Sequence, residues 1–167
     1  MSQPAMPFVP PDFPVPETLT TDRVHLRMLT VHDVVKDYDA VMSSVAHLQT
    51  VWPHGHWPEG LTLEQNLIDL GWHQKEFQRR TSFAYTVLSL DGQRVLGCVY
   101  LMPTRKRGHD VELVFWARQS ELASGLEAHL HTALRDWLAA KWPFKAPGLP
   151  GREVPWAAWN ALPEVGR

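Results

Sequence analysis

The chain has 167 residues, a size that suits one domain around one core. Hydrophobic residues make up 44% and charged residues 20%, and the formal net charge is −2. That balance fits a packed protein and argues against a nucleic-acid-binding or membrane-binding surface.

Residues 1–17 form a proline-rich stretch with prolines at 4, 7, 10, 11, 14 and 16. Proline lacks an N–H and fixes its φ, so this segment is expected to be an extended arm, with Phe8, Val9, Phe13 and Val15 as its anchors. The opening has no basic start followed by an apolar run, so it is not expected to be a signal peptide. Residues 18–144 are expected to form the folded domain, and residues 145–167 a proline-containing tail.

"DRVHLRML" (22–29) alternates apolar and polar residues, which predicts a half-buried strand. Thr30 and Asp33 then make a capping-box pattern, so a helix is expected to start there. Val34, Tyr38, Val41, Met42 and Val45 supply its apolar stripe. The stretch 50–60 carries turn residues and reads as a loop. Thr62 and Gln65 repeat the capping pattern, and Leu63, Leu67, Leu70 and Phe77 predict a second helix to about Arg80.

"SFAYTVLSLDGQRVLGCVYLMP" predicts two strands around a tight Asp91-Gly92 turn. "HDVELVFWAR" predicts a third strand after the basic loop "TRKRG". From about Glu121 to Lys141 the period becomes helical, with Leu122, Leu126, Leu130, Leu134, Trp137 and Leu138 on one face. "WPFKAPGLPG" ends that helix. "REVPWAAW" is expected to add one short strand, which Pro155 confines to an edge or bulge. The predicted order is β-α-α-β-β-β-α-β, an α+β fold with a mixed, mostly antiparallel sheet.

Cys98 is the single cysteine, in the apolar run "LGCVYL". It excludes an intrachain disulfide, fits a reducing cytoplasm and reads as a buried thiol. No apolar stretch is long enough to span a membrane. His54 with His56, and His129 with His131, lack a third ligand, so no metal site is expected. Trp52, Trp57 and Trp72 are read as core packing or an aromatic lid, with a substrate-pocket lining as the alternative.

The order of elements, the opening "LTTDRVHLRMLTVHD" and the stretches "SFAYTVLSLDGQRVLGCVYLMPTRKRGHDVELVFWAR" and "RDWLAAKWPF" together resemble the GNAT acyltransferase superfamily. The opening is similar to the branch that includes ribosomal-protein N-terminal acetyltransferases. The resemblance covers roughly residues 19–144 and implies a GNAT-like fold, shortened at its C-terminus relative to the family. It also implies acetyl-CoA as acyl donor and an amine, small-molecule or peptide, as acceptor. In that family the pantetheine arm lies along the fourth strand, where it parts from the fifth. The diphosphate then sits on a glycine-bearing turn at a helix N-terminus, where unpaired N–H groups attract anions.

Two registers place that turn here. "LASGLE" puts Gly125 and Glu127 at the two glycine positions. "SELASG" puts Ala123 and Gly125 there, and it avoids a carboxylate beside a diphosphate. On the resemblance, Val114, Phe115 and Trp116 on the strand and Ser120, Ala123, Ser124 and Gly125 in the turn would hold the cofactor. Backbone N–H groups near Phe115 and Trp116 would polarise the thioester carbonyl. On the same resemblance Glu112, in "DVELVF", is the expected general base, with an exposed strand residue as the alternative that strand alternation allows. The usual closing helix and strand pair are expected to be missing or replaced, which leaves a sheet edge and a groove wall to be covered by the arms or by a homodimer partner. The alternative reading is a non-catalytic module of the same fold that binds a ligand or a protein; a third is an assembly role for the proline arms.

Overall fold

The computed structural model describes residues 6–166; residues 1–5 of the expected arm, Pro4 among them, lie outside the described residues. Six strands form one sheet in the order β1 (Thr18–Thr20), β2 (Val24–Met28), β3 (Phe83–Ser89), β4 (Val95–Met102), β5 (Val111–Ala117) and β6 (Pro147–Gly148). Neighbours are antiparallel up to β5, and β6 runs parallel to β5. The fold is therefore α+β with a mixed, mostly antiparallel sheet, as the element order predicts.

The two faces of the sheet carry separate cores because side chains alternate along each strand. Val111, Leu113 and Phe115 of β5 face α4 (Leu126–Lys141), whose Leu126, Leu130, Leu134, Trp137 and Leu138 are buried against them. Trp116 faces the other side, with Leu29, Ala40, Val41, Leu48 and Leu70. That side is covered by α1 (Val34–Met42), α2 (Val45–Val51) and α3 (Leu63–Arg79). A fully buried large apolar side chain contributes about 1.5–3 kcal/mol, so these two layers dominate the fold's stability.

The proline-rich segment lies on the α4 side. Val9 is buried there, and Phe8 stacks on Phe83 with centroids 5.7 Å apart. The Tyr85 hydroxyl donates to the Pro16 carbonyl at 2.6 Å, and the Arg80 guanidinium donates to the carbonyls of Pro10 and Phe13. A proline-rich chain leaves many carbonyls without partners, and these donors satisfy three of them.

Several local expectations are corrected. The helix expected after Thr30 is a short 3-10 turn (Val31–Asp33) followed by α1 and α2, broken at Ser43 and Ser44. Asp33 is drawn out of purely local capping: it accepts from the Thr30 N–H and also from Arg27 at 2.7 Å. The Asp91-Gly92 pair sits in a longer loop, because the last hairpin bond joins Ser89 N–H to the Arg94 carbonyl; Gly92 takes a positive φ of 71°. The helix expected from Glu121 splits into a 3-10 turn (Gln119–Ser124) and α4. Leu122, in that turn, is exposed and does not join the apolar stripe.

On α3 the buried row is shifted by one position. Leu63 and Leu67 are exposed, whereas Asn66 and Leu70 are buried. The inward row bears polar residues because it faces a cavity, described below. "REVPWAAW" does not form a strand; Trp156–Ala161 is a helix, α5. The edge strand is β6. The carboxylate of Asp110 accepts from the N–H groups of Lys145 and Ala146, and this sets the register. Trp159 of α5 then packs on Gly148, where a Cβ would lie 2.4 Å from its ring.

Candidate functional site

One cavity opens on the α1–α3 side of the sheet and a second at the edge of β5. The larger, about 370 Å³, is walled by two helices. Asp37 and Val41 are four apart on α1 and so share a face; Asn66, Leu70 and His73 do the same on α3. Leu29, Tyr100 and Met102 come from the sheet side, and Trp52, His54 and Trp57 come from the connection between α2 and α3. Trp52 meets Trp57 edge-on at 5.3 Å and Tyr100 at 5.9 Å. These are favourable ring geometries, so the three rings make a corner and not a loose lid. Of the three tryptophans singled out in the sequence, Trp72 is absent from this wall and is 61% exposed on α3.

Asp37 is the notable polar group here, with 3% of its surface exposed. Its Oδ2 accepts from the Asn66 amide at 2.9 Å. Burial, with Asp33 and Asp69 nearby, pushes its carboxyl up to about 6, although the Asn66 bond opposes this. His73, 5.3 Å from the Tyr100 ring, is pushed down by burial towards its neutral form. Burial pushes the Tyr100 hydroxyl well up, and the Trp116 indole donates to it at 3.4 Å.

The smaller cavity, about 210 Å³, is polar. It lies between α2 (His47, Thr50, Val51), Val114 of β5, Glu127 of α4 and the segment 150–152. It exists because β6 pairs with only Val111 and Glu112, so β5 has no strand partner on that side from Leu113 onward. Side chains bridge this open edge. Arg152 donates to the Phe115 carbonyl at 2.7 Å and to Glu127 Oε2 at 3.0 Å, with its guanidinium carbon 3.9 Å from the Phe115 ring centre. Glu127 Oε1 accepts from the Ala117 N–H at 3.2 Å and meets the His47 ring. Burial acts to raise the Glu127 carboxyl, but Arg152, His47 and the Ala117 N–H hold it below the usual carboxylate range. The two cavities adjoin at the end of α2, where Val51 lines one and Trp52 the other.

Each residue expected in a site has a definite place. Val114 lines the polar cleft. Phe115 offers its carbonyl there, already bonded to Arg152. Trp116 is fully buried on the sheet face beneath the helices. Ser120, Ala123 and Ser124 lie in the 3-10 turn, exposed. The turn is tied down: Gln119 N–H donates to the Ser44 hydroxyl, and the Ser124 hydroxyl accepts from Arg23 and donates to the Glu121 carbonyl. Gly125, at φ 74°, joins this turn to α4, so Glu127 falls in the first turn of α4. Glu112 lines neither cavity, but it stands directly across from Met102, on the same face as the aromatic pocket. Burial pushes its carboxyl up, opposed by Lys106.

Arg152, His47 and Asp37 are functional candidates that the sequence motifs do not single out. For Asp37 a signal exists, since it falls four residues before Val41, within the apolar stripe of α1. Among the described residues no three His, Cys, Asp or Glu side chains gather as metal ligands. His129 bonds Thr21 and His131 bonds Glu153 instead. Cys98 is buried with its thiol pushed far up by burial, so it is no nucleophile. No helix among the described residues is long and apolar enough to cross a membrane.

No family model matches this chain, and no curated protein matches its sequence. Solved structures do match its fold. One is a putative ribosomal-protein-serine acetyltransferase from Vibrio cholerae, with a TM-score of 0.59 and 16% identity over 76% of this chain and 67% of that one. Another is RimL, a ribosomal L7/L12 alpha-N-protein acetyltransferase in complex with coenzyme A, with a TM-score of 0.60 and 18% identity over 74% and 68%. A third is a putative GnaT-family acetyltransferase from Bordetella pertussis, with a TM-score of 0.53 and 18% identity over 75% and 73%. At these identities the likeness establishes the fold alone, which this chain shares with these solved acetyltransferases.

Proposed function

We propose that this chain, built on the acetyltransferase fold, transfers an acetyl group from acetyl-CoA to an amine, small-molecule or peptide. The observation that carries this reading is the open edge of β5 from Leu113 to Ala117, which leads into a cleft adjoining an aromatic pocket with a buried carboxylate. Fold likeness to acetyltransferases, one of them solved with coenzyme A, supports it.

The residues present fit the donor with two departures. The first is that Arg152 and Glu127 bond the Phe115 carbonyl and the Ala117 N–H, groups the donor's arm would take over, with Val114 beside them. The N-terminal turn of α4 and the Arg152 guanidinium would hold its diphosphate. The second departure is Glu127, a carboxylate in that first turn. Arg152 and His47 offset its charge, so the cluster is not a bare anion. The 3-10 turn with Ser120, Ala123, Ser124 and Gly125 then borders the diphosphate end. Acetyl-CoA, when bound, supplies the acyl group. Glu112, which lines neither cavity but stands across from Met102 of the aromatic pocket, would take the amine's proton; burial pushes its carboxyl up, which suits that task.

Isothermal titration with acetyl-CoA tests this. Saturable binding is expected, and no heat or competition at millimolar ligand would remove the reading. A second reading is favoured by one observation: Arg152 and Glu127 already occupy the Phe115 and Ala117 groups. On that reading the cleft is locked and the protein binds ligands without transfer. Turnover of a coenzyme A thioester decides against it.

The proposal includes a cytoplasmic setting and a homodimer. The lone buried cysteine suits the first. The exposed Leu63, Leu67, Ile68 and Trp72 on α3 support the second. Sedimentation showing a monomer at micromolar concentration removes the dimer.

A further inference from the structure

We propose that the aromatic pocket binds a small primary aryl-alkyl ammonium, with its charge against Asp37 and its ring in the corner of Trp52, Trp57 and Tyr100. This rests on the proposed amine acetylation, because it names the class of acceptor.

The charge of the pocket selects a cation. Among the described residues, Asp37 and Asp69 both line it and no Lys or Arg does. Asp33 beneath α1 has its own partner in Arg27 at 2.7 Å, but Asp37 has only the Asn66 amide. A buried carboxylate without a cation is costly, and the fold keeps it at a cavity wall instead of replacing it with an apolar residue. An ammonium supplies the missing partner. His73 does not compete for that role, because burial favours its neutral form.

The walls select an apolar, flat body. Leu29, Val41, Leu70 and Met102 are apolar, and ring faces attract cations as well as other rings. A volume of about 370 Å³ lies near the lower end for ligand pockets, so one ring on a short alkyl chain fits better than a larger guest. The ring corner and the carboxylate come from different elements. Asp37 is on α1, Tyr100 on β4, and the two tryptophans flank the connection from α2 to α3. The pair therefore specifies both ends of one molecule.

The test is titration of the purified full chain with phenethylamine and tryptamine, without any acyl donor, beside 2-phenylethanol as neutral isostere. Saturable binding of the amines is expected, with the alcohol weaker by about tenfold or more, since one charged hydrogen bond is lost. D37N is expected to bring the amines down to the level of the alcohol, and W57L to weaken all three. Equal affinity of amine and alcohol for the wild-type chain overturns the proposal, as does the absence of saturable binding at millimolar amine. These outcomes do not depend on D37N folding. Amine binding without acetyl-CoA binding leaves the pocket standing and removes only the transfer reading. Acetyl-CoA binding without amine selectivity does the reverse.

Discussion

Arg152 and Glu127 meet across the open edge of β5, 3.0 Å apart, and each also holds a backbone group of that strand. Their side chains are only 21% and 20% exposed, so the pair is partly desolvated. The contact couples the segment after β6 to the first turn of α4.

Breaking one side of this pair leaves a partly buried charge and an unbonded backbone group. R152A and E127A are each expected to lower the unfolding free energy by about 1–3 kcal/mol. The double variant is expected to lose less than the sum, by about 1 kcal/mol. Urea denaturation of the four proteins in a double-mutant cycle measures this, and strict additivity would count against the coupling.

Asp37 makes stability depend on pH in a definite direction. Its folded carboxyl, at about 6, lies above the ordinary value of 3.8, so the folded state holds the proton more tightly. Its contribution is therefore fully present below about pH 4 and is lost as pH rises through 6. D37N is expected to gain on the wild type by up to about 3 kcal/mol between pH 4 and pH 7. Thermal melts of both proteins over that range check it; a D37N variant that fails to gain on the wild type as pH rises would refute the assignment. Glu127 acts the opposite way. Its lowered carboxyl gives stability above the unfolded value that is lost as pH falls, so E127Q is expected to close on the wild type in acid.

Two glycines separate close packing from backbone conformation. At Gly97 a Cβ would lie 2.0 Å from the Trp116 carbonyl oxygen, because β4 and β5 approach there. G97A is expected to cost about 3–5 kcal/mol or to prevent folding. At Gly125 there is open space but a φ of 74°. G125A is therefore expected to cost only about 1 kcal/mol. Comparing expression and denaturation midpoints of the two variants tests the order, which reverses if the turn and not the strand pair is the tight spot.

For the proposed transfer, E112Q is expected to lower turnover of an aryl-alkyl amine by about 10²- to 10⁴-fold with little change in acetyl-CoA binding. A pH–rate profile that loses its acidic limb in E112Q identifies the base. An unchanged profile shifts that role to Asp37, the other raised carboxylate on this side of the sheet.

Local patterns in the chain were legible where one element makes its own signal. Thr62 and Gln65 form the capping box of α3, with both reciprocal bonds present. Leu126 to Leu138 form the buried stripe of α4. The site was only partly legible. The strand residues Val114 and Phe115 do face the cleft, through a side chain and a carbonyl. Arg152, however, reaches Phe115 from 37 residues further along, and no local spacing encodes that. On α3 Leu63 and Leu67 misled while Leu70 is buried as expected, because a helix over a cavity puts polar residues on its inward row.

By itself the amino-acid sequence determined the α+β order, the strands β3 to β5, the helix that covers one face, and a buried lone thiol. These follow from alternation and helical period, which neighbouring residues set. Only the tertiary structure decided how β6 pairs, that side chains and not a strand close the rest of β5's edge, and that Asp37 lines one pocket with three aromatic rings. Those facts depend on contacts between distant segments, whose geometry is fixed by packing two cores on opposite faces of one sheet.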